Sequence, residues 1–250
     1  MKWGREIRHC SALLLICLLA APAYAQGNKE PLIDRGRIIG GSTKQMRDVQ
    51  PIRGFLPQVS LLRPGGPGEA ALVYRNPQAS FPSYTKILLE RVSVWTDSNS
   101  QLNKVPQNQR TALANSFYSH LYNALGARCQ MVRAPGPGTM RLRIALTDAT
   151  SPDAGVNTVA TYAPYVSAAY SVASLAFNKG VGYFSGTAAA EGYATDAKTG
   201  ALLWEAVDKR GGTTALVANT LDNWRDVENA FKTWADKLAS KIQELGACRR

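Results

Sequence analysis

The segment TMRLRIALTD, residues 139–148, most constrains what this chain can fold into. Met140, Leu142, Ile144 and Leu146 share one parity, and Arg141, Arg143, Ala145 and Thr147 the other. That alternation is the signature of a strand with one face in a core and the other in water. Further on, GTAAAEGYATDAKTGALLWEAVDKR places two strand-like runs around Asp196-Ala197-Lys198-Thr199-Gly200. The aspartate can bond its own backbone there and the glycine can take a positive φ, so the stretch reads as a hairpin. Residues 84–95, YTKILLERVSVW, are rich in β-branched and aromatic side chains and read as one more strand, with Leu88, Val92 and Val94 toward the core.

Two helical periods accompany these strands. Pro106 can open a helix at no hydrogen-bonding cost, and Leu113, Phe117, Leu121 and Ala124 recur at helical spacing up to Gly126. From about Asn223, the residues Trp224, Val227, Phe231, Trp234, Leu238, Ile242 and Leu245 form one apolar stripe, with charged residues largely opposite. The heptads are too few for a coiled coil, so the stripe is expected to dock on the sheet. The expected class is α+β: a mostly antiparallel sheet, two long helices packed on it, and a short helical insertion.

The insertion is the uncharged stretch of residues 154–178. Tyr162, Tyr165, Ala169 and Val172 fall at helical spacing there, which predicts a short helix over residues 165–177. It is too short and too hydroxylated to cross a bilayer. It either covers the sheet or offers an apolar docking surface, and Tyr162, Tyr165, Tyr170 and Phe177 are the residues that would carry the contact.

The amino terminus reads as a secretory signal over residues 1–25. Lys2, Arg5 and Arg8 precede an apolar run at residues 11–21, and Ala23-Tyr24-Ala25 supplies a small-x-small cleavage motif. Cys17 lies within the apolar run rather than just after its end, which speaks against a lipid anchor. The expected location is the periplasm. Residues 26–50 are polar and aperiodic and read as a flexible arm, leaving residues 51–250 as one α+β domain. After cleavage the cysteines are Cys129, in LGARC, and Cys248, in LGAC. Each sequence follows a predicted helix, with Gly126 and Gly246 suited to a left-handed turn. If the helices lie side by side with their carboxyl ends together, the two sulfurs meet in a disulfide; two buried thiols are the alternative.

The residues that could perform chemistry are few. His120 is the only histidine beyond the signal and sits on the first helix, where packing is the expected role. No metal motif, cofactor motif or nucleophilic triad is legible. The glycine-rich GVGYFSG at residues 180–186 precedes a strand rather than a helix, so it reads as a turn. Asp148 and Asp153 flank a loop, and together with Glu191 they are the carboxylates available to an envelope hydrolase. The cleaved chain would hold 26 Lys+Arg against 17 Asp+Glu. Outside the cytoplasm such a surplus suits anionic lipid or glycan rather than nucleic acid.

The pieces GFLPQVSLL, ALVYRNP, SYTKILLERVSVW, APGPGTMRLRIALTDA, DAKTGALLWEAVD and WRDVENAFKTWADKL occur in this order. Together they resemble the uncharacterised bacterial family known as domain of unknown function 3313, over residues 55–245. The resemblance implies an envelope protein of the lipoprotein kind without an assigned activity, although the lipobox cysteine of that pattern is missing here. It transfers no catalytic residue. The expected role is therefore non-enzymatic docking to an envelope protein, with a carboxylate hydrolase and a binder of anionic surfaces as alternatives.

Overall fold

The structure, a computed structural model, describes residues 43–151, 186–212 and 224–249. Its frame is a mixed sheet in the order β2-β3-β9-β8-β7-β4-β6, with β1 added beside β9 and β5 beside β7. The strands are β1 (Thr43–Met46), β2 (Arg63–Pro64), β3 (Leu72–Arg75), β4 (Lys86–Leu89), β5 (Ser93–Val94), β6 (Gln130–Met131), β7 (Thr139–Thr150), β8 (Thr187–Asp196) and β9 (Leu202–Gly212). The helices are α1 (Gln107–Gly126) and α2 (Arg225–Glu244). The expected α+β class with a mostly antiparallel sheet holds, but the sheet is mixed: β4 runs parallel to both β6 and β7, and β5 parallel to β7. The parallel pairing of β4 with β6 follows from the crossover through α1, since parallel neighbours cannot be joined by a tight turn.

The antiparallel centre is β7-β8-β9. Asp196 makes the turn between β8 and β9 by accepting from the Lys198 and Thr199 amides at 2.9 and 2.7 Å, while Gly200 takes φ +75°. Those bonds, led by the one from Thr199, hold the Asp196 carboxyl below the ordinary aspartate range. Both helices lie on one face of the sheet and run parallel in a fixed offset. Ser116, midway along α1, bonds Glu228 in the first turn of α2 at 2.6 Å, and Arg128, just past the end of α1, bonds Ser240 near the end of α2 at 2.8 Å. Between them Phe117 stacks on Phe231 with ring centroids 4.5 Å apart. This parallel register brings the two carboxyl ends together, and Cys129 and Cys248 are joined in a disulfide. In a chain-entropy account, closing the intervening 119 residues stabilises the fold by about 5 kcal/mol. His120 Nε2 donates to Glu228 Oε2 at 3.1 Å, so it bridges the helices by a polar contact instead of packing in the core.

Five sequence expectations are corrected. Residues 84–95 are not one strand: the ladder breaks after Leu89, and Ile87 and Leu89, not Leu88, are buried before Val92 turns inward. A register shift between Leu146 and Asp148 ends the simple alternation of β7, so Asp148 faces outward and Ala149 inward. Ala145 and Thr147 are buried although their parity predicted a wetted face. Thr43–Met46, expected within the polar arm, pairs with β9. Gly126 is still helical, and the left-handed turn falls only at Gly246 (φ +86°), followed by Cys248 at φ 58°. The predicted insertion helix lies outside the described residues.

Candidate functional site

The two faces of the β7-β8-β9 hairpin system carry different chemistry, because alternate residues project to opposite sides. On the outer face stand Glu191, Tyr193, Glu205 and Val207. In the register Glu191 opposes Val207 and Tyr193 opposes Glu205, so the two glutamates are diagonal neighbours. The chain before β2 lies over them. Phe55 contacts Tyr193 edge-on at 5.5 Å, and Leu56 is buried against Tyr193 and Val207. This cover is what buries Ala145 on the face that the sequence alone leaves in water.

Both carboxylates are sealed beneath that cover, Glu191 at 1 % and Glu205 at 0 % exposure. Glu191 Oε1 accepts from the Ile52 amide, and Glu205 Oε1 accepts from the Gln58 amide at 2.7 Å. The second oxygen of each has no hydrogen-bond partner. Burial pushes the Glu191 carboxyl up to about 7, against the Ile52 bond and helped by the charge of Glu205. Burial likewise raises Glu205 above its ordinary range, opposed by the Gln58 amide. No cation faces the pair among the described residues; Ala145 and Val207 are the residues paired with Glu191. This arrangement fixes the covering segment by two charge-assisted bonds when the glutamates ionise, at the cost of burying charge.

Asp148 is engaged elsewhere. It accepts from the Gln101 amide at 2.8 Å and from Ser100 Oγ at 3.2 Å, and Lys209 approaches it at 3.7 Å. It thus ties the turn at Gln101–Lys104 to the sheet. Asp153, Tyr162, Tyr165, Tyr170 and Phe177 lie outside the described residues.

The inner face carries a cavity of about 140 Å³ between the sheet and α2. Its floor is built from Ala190, Gly192, Ala194 and Ala206, whose side chains are too small to reach α2, and Trp204 and Trp234 form part of its wall. At its mouth the β2–β3 loop meets α2 through two long contacts: Lys237 Nζ to the Gly68 carbonyl at 3.5 Å, and Lys241 Nζ to Glu69 Oε1 at 3.6 Å. Asp208, also on the wall, is already bonded by Gln45 Nε2 at 2.6 Å, the Ala71 amide at 2.9 Å and Trp234 Nε1 at 2.8 Å. Partial burial and the charge of Arg210 lower the Lys237 pKa, partly offset by Asp208.

Sequence reading passed over Glu205, Asp208, Trp234 and Lys237 as site residues. Glu205 was hidden by a register shift between Ala194 and Thr195: counting from the turn at 196–200 puts Trp204 opposite Tyr193, and only the extra residue in β9 brings Glu205 there, beside Glu191. The cavity had no readable signal, because a floor of small residues looks the same in sequence whether or not a helix fills the space above it. Among the described residues no cluster of three or more His, Cys, Asp or Glu is placed to hold a metal ion. Nor is any described helix long and apolar enough to cross a membrane.

Fold and sites together define an α+β domain with a mixed sheet, a disulfide joining its helix ends, a covered acidic pair and an apolar cavity. The chain belongs to the family described as protein of unknown function (DUF3313), whose model matches residues 51–238. No curated protein matches it. Among solved structures it is similar to two PelC dodecamers from Paraburkholderia phytofirmans, one of them a single-substitution variant. The variant is 13% identical with a TM-score of 0.36, covering 67% of this chain and 94% of that one. The second is 12% identical with a TM-score of 0.37, covering 71% of this chain and 96% of that one. At that distance the likeness assigns neither assembly nor role.

Proposed function

We propose that this is a non-enzymatic protein of the periplasm that docks onto an envelope partner. The observation that carries the reading is the disulfide between Cys129 and Cys248, because such a bond persists in an oxidising compartment and is rare in a reducing one. The signal-like residues 1–25 support the same compartment. Two carboxylates that a hydrolase would use, Asp148 and Glu191, are each held by backbone amides, and Glu191 lies beneath the covering segment, which supports a role without them. The docking segment in this reading is the uncharged stretch with Tyr162, Tyr165, Tyr170 and Phe177. It lies between β7 and β8, whose end residues Thr150 and Thr187 are paired.

The test is cross-linking in intact cells with Tyr165→Asp and Tyr170→Asp. Loss of attached envelope proteins with unchanged thermal stability supports docking, and unchanged recovery rejects it. A second reading, a binder of anionic envelope surfaces, is favoured by Arg91 and Arg133. They line an open concavity of about 400 Å³ beside Tyr118 and Tyr122, with the Arg91 guanidinium 4.6 Å from the Tyr118 ring centre. Retention on isolated envelopes that falls steeply with salt would favour it, whereas salt-insensitive retention would favour the protein partner.

A further inference from the structure

We propose that the inner-face cavity is a binding site for a small anionic amphiphile: a hydrocarbon chain of about six carbons in the cavity, and a single anionic head group at Lys237. The inference stands apart from the docking role and concerns the opposite end of the chemistry, a small molecule rather than a macromolecular partner.

Size sets the first limit. A cavity of about 150 Å³ lined by leucine, isoleucine and phenylalanine stays dry and takes up benzene. The present one, about 140 Å³, open at its mouth and lined by small residues such as Ala190, Ala194 and Ala206 together with larger apolar ones such as Trp204, Trp234 and Leu238, has a similar capacity. It is too small for a whole lipid and suited to one chain end.

The floor shows how the space is kept. Successive inward positions on β8 are Ala190, Gly192 and Ala194, and Ala206 on β9 pairs with Gly192. At Gly192 a Cβ would already meet Ile144 Cγ1 at 3.3 Å and Trp204 Cζ3 at 3.6 Å, so the open space is kept by the small side chains of Ala190, Ala194 and Ala206. Packed interiors seldom leave a gap this large.

The mouth supplies the polarity. Of the charged groups that line it, Asp208 is saturated by three donors, and Glu69 is shared between Lys241 and the Gly66 amide. Lys237 has no carboxylate within ion-pairing distance among the described residues and only the 3.5 Å contact to the Gly68 carbonyl. A carboxylate or phosphate group carried on a chain in the cavity would replace that weak contact by a charge-assisted one. Among the described residues the polar contacts that join the β2–β3 loop to α2 there are the two long ones, so a chain can enter without breaking a strong bond.

Trp204 and Trp234 make the site self-reporting, because a brominated chain in the cavity quenches them on contact. The experiment titrates the full oxidised protein with 6-bromohexanoate, 6-bromohexan-1-ol and 6-bromohexylammonium. The expected result is saturable quenching by all three, with the carboxylate about three- to fivefold tighter than the alcohol, as for a solvent-facing charge pair, and the ammonium weakest. Lys237→Met keeps the aliphatic stem and should bring the carboxylate to the alcohol's affinity while leaving the alcohol unchanged. Ala206→Leu should abolish saturable quenching, with Ala190→Val as a second filling variant if Ala206→Leu does not fold. The proposal is overturned by quenching that rises linearly as for free tryptophan, by saturable binding that persists in a folded filling variant, or by a carboxylate preference that survives Lys237→Met.

Discussion

Replacing Glu191 by Gln removes one ionisable group from the outer face while keeping an oxygen to accept the Ile52 amide. In the native protein, burial raises this carboxyl from 4.5 to about 7. A raised carboxyl pKa means the folded state prefers the protonated form. Its stabilising contribution is therefore fully present below about pH 4.5 and is lost as pH climbs through about 7. The displacement is worth about 3 kcal/mol at one proton. Glu205, also raised by burial, and Asp226, raised by burial against the Gly186 amide, titrate in both proteins, so only the difference between them isolates Glu191. Urea unfolding of both forms from pH 4.5 to 8.5 measures it. The wild type should lose stability relative to Glu191→Gln as pH rises, with the variant gaining up to about 3 kcal/mol by pH 8 and the change centred between the two pKa values. A difference that stays constant across that range refutes the view that a buried, cation-free glutamate holds the covering segment.

Removing the disulfide with Cys129→Ala and Cys248→Ala together should cost up to about 5 kcal/mol, a large part of the usual domain stability, seen as a fall in urea midpoint; a loss under about 1 kcal/mol would show that the helix ends stay together without it. Phe231→Ala, which breaks the 4.5 Å stack with Phe117, should cost about 3–5 kcal/mol in the same assay, whereas Tyr122→Ala on the exposed side of α1 should cost less than about 1 kcal/mol. Gly246→Ala meets both a φ of +86° and the Pro82 ring at 3.1 Å, and should lower the thermal midpoint more than Gly200→Ala, whose position has φ +75° but open space around it.

Local chemistry made much of this molecule readable. The stripe on α2, the turn at 196–200 and the inward set Met140, Leu142, Ile144 and Leu146 are each fixed by residues within a few positions of one another. The break after Leu89 was not readable, because YTKILLERVSVW has strand composition throughout and only pairing with β7 shows where the ladder stops. The shift at Leu146/Asp148 was hidden for the same reason: an extra residue in one strand is defined only against its partner. The pairing of Cys129 with Cys248 was accessible from the shared LGARC and LGAC endings, but their meeting depends on the parallel packing of two helices far apart in the chain.

Sequence alone determined the α+β class, the helical stripes and the hairpin, since periodicity and turn preference are properties of neighbours along the chain. Tertiary structure decided which strands run parallel, that Glu191 and Glu205 lie buried beneath residues 52–58, and that small residues on β8 and β9 floor a cavity beside Lys237. Those features depend on which distant segment covers a given face, and burial, carboxyl titration and enclosed volume all follow from that cover.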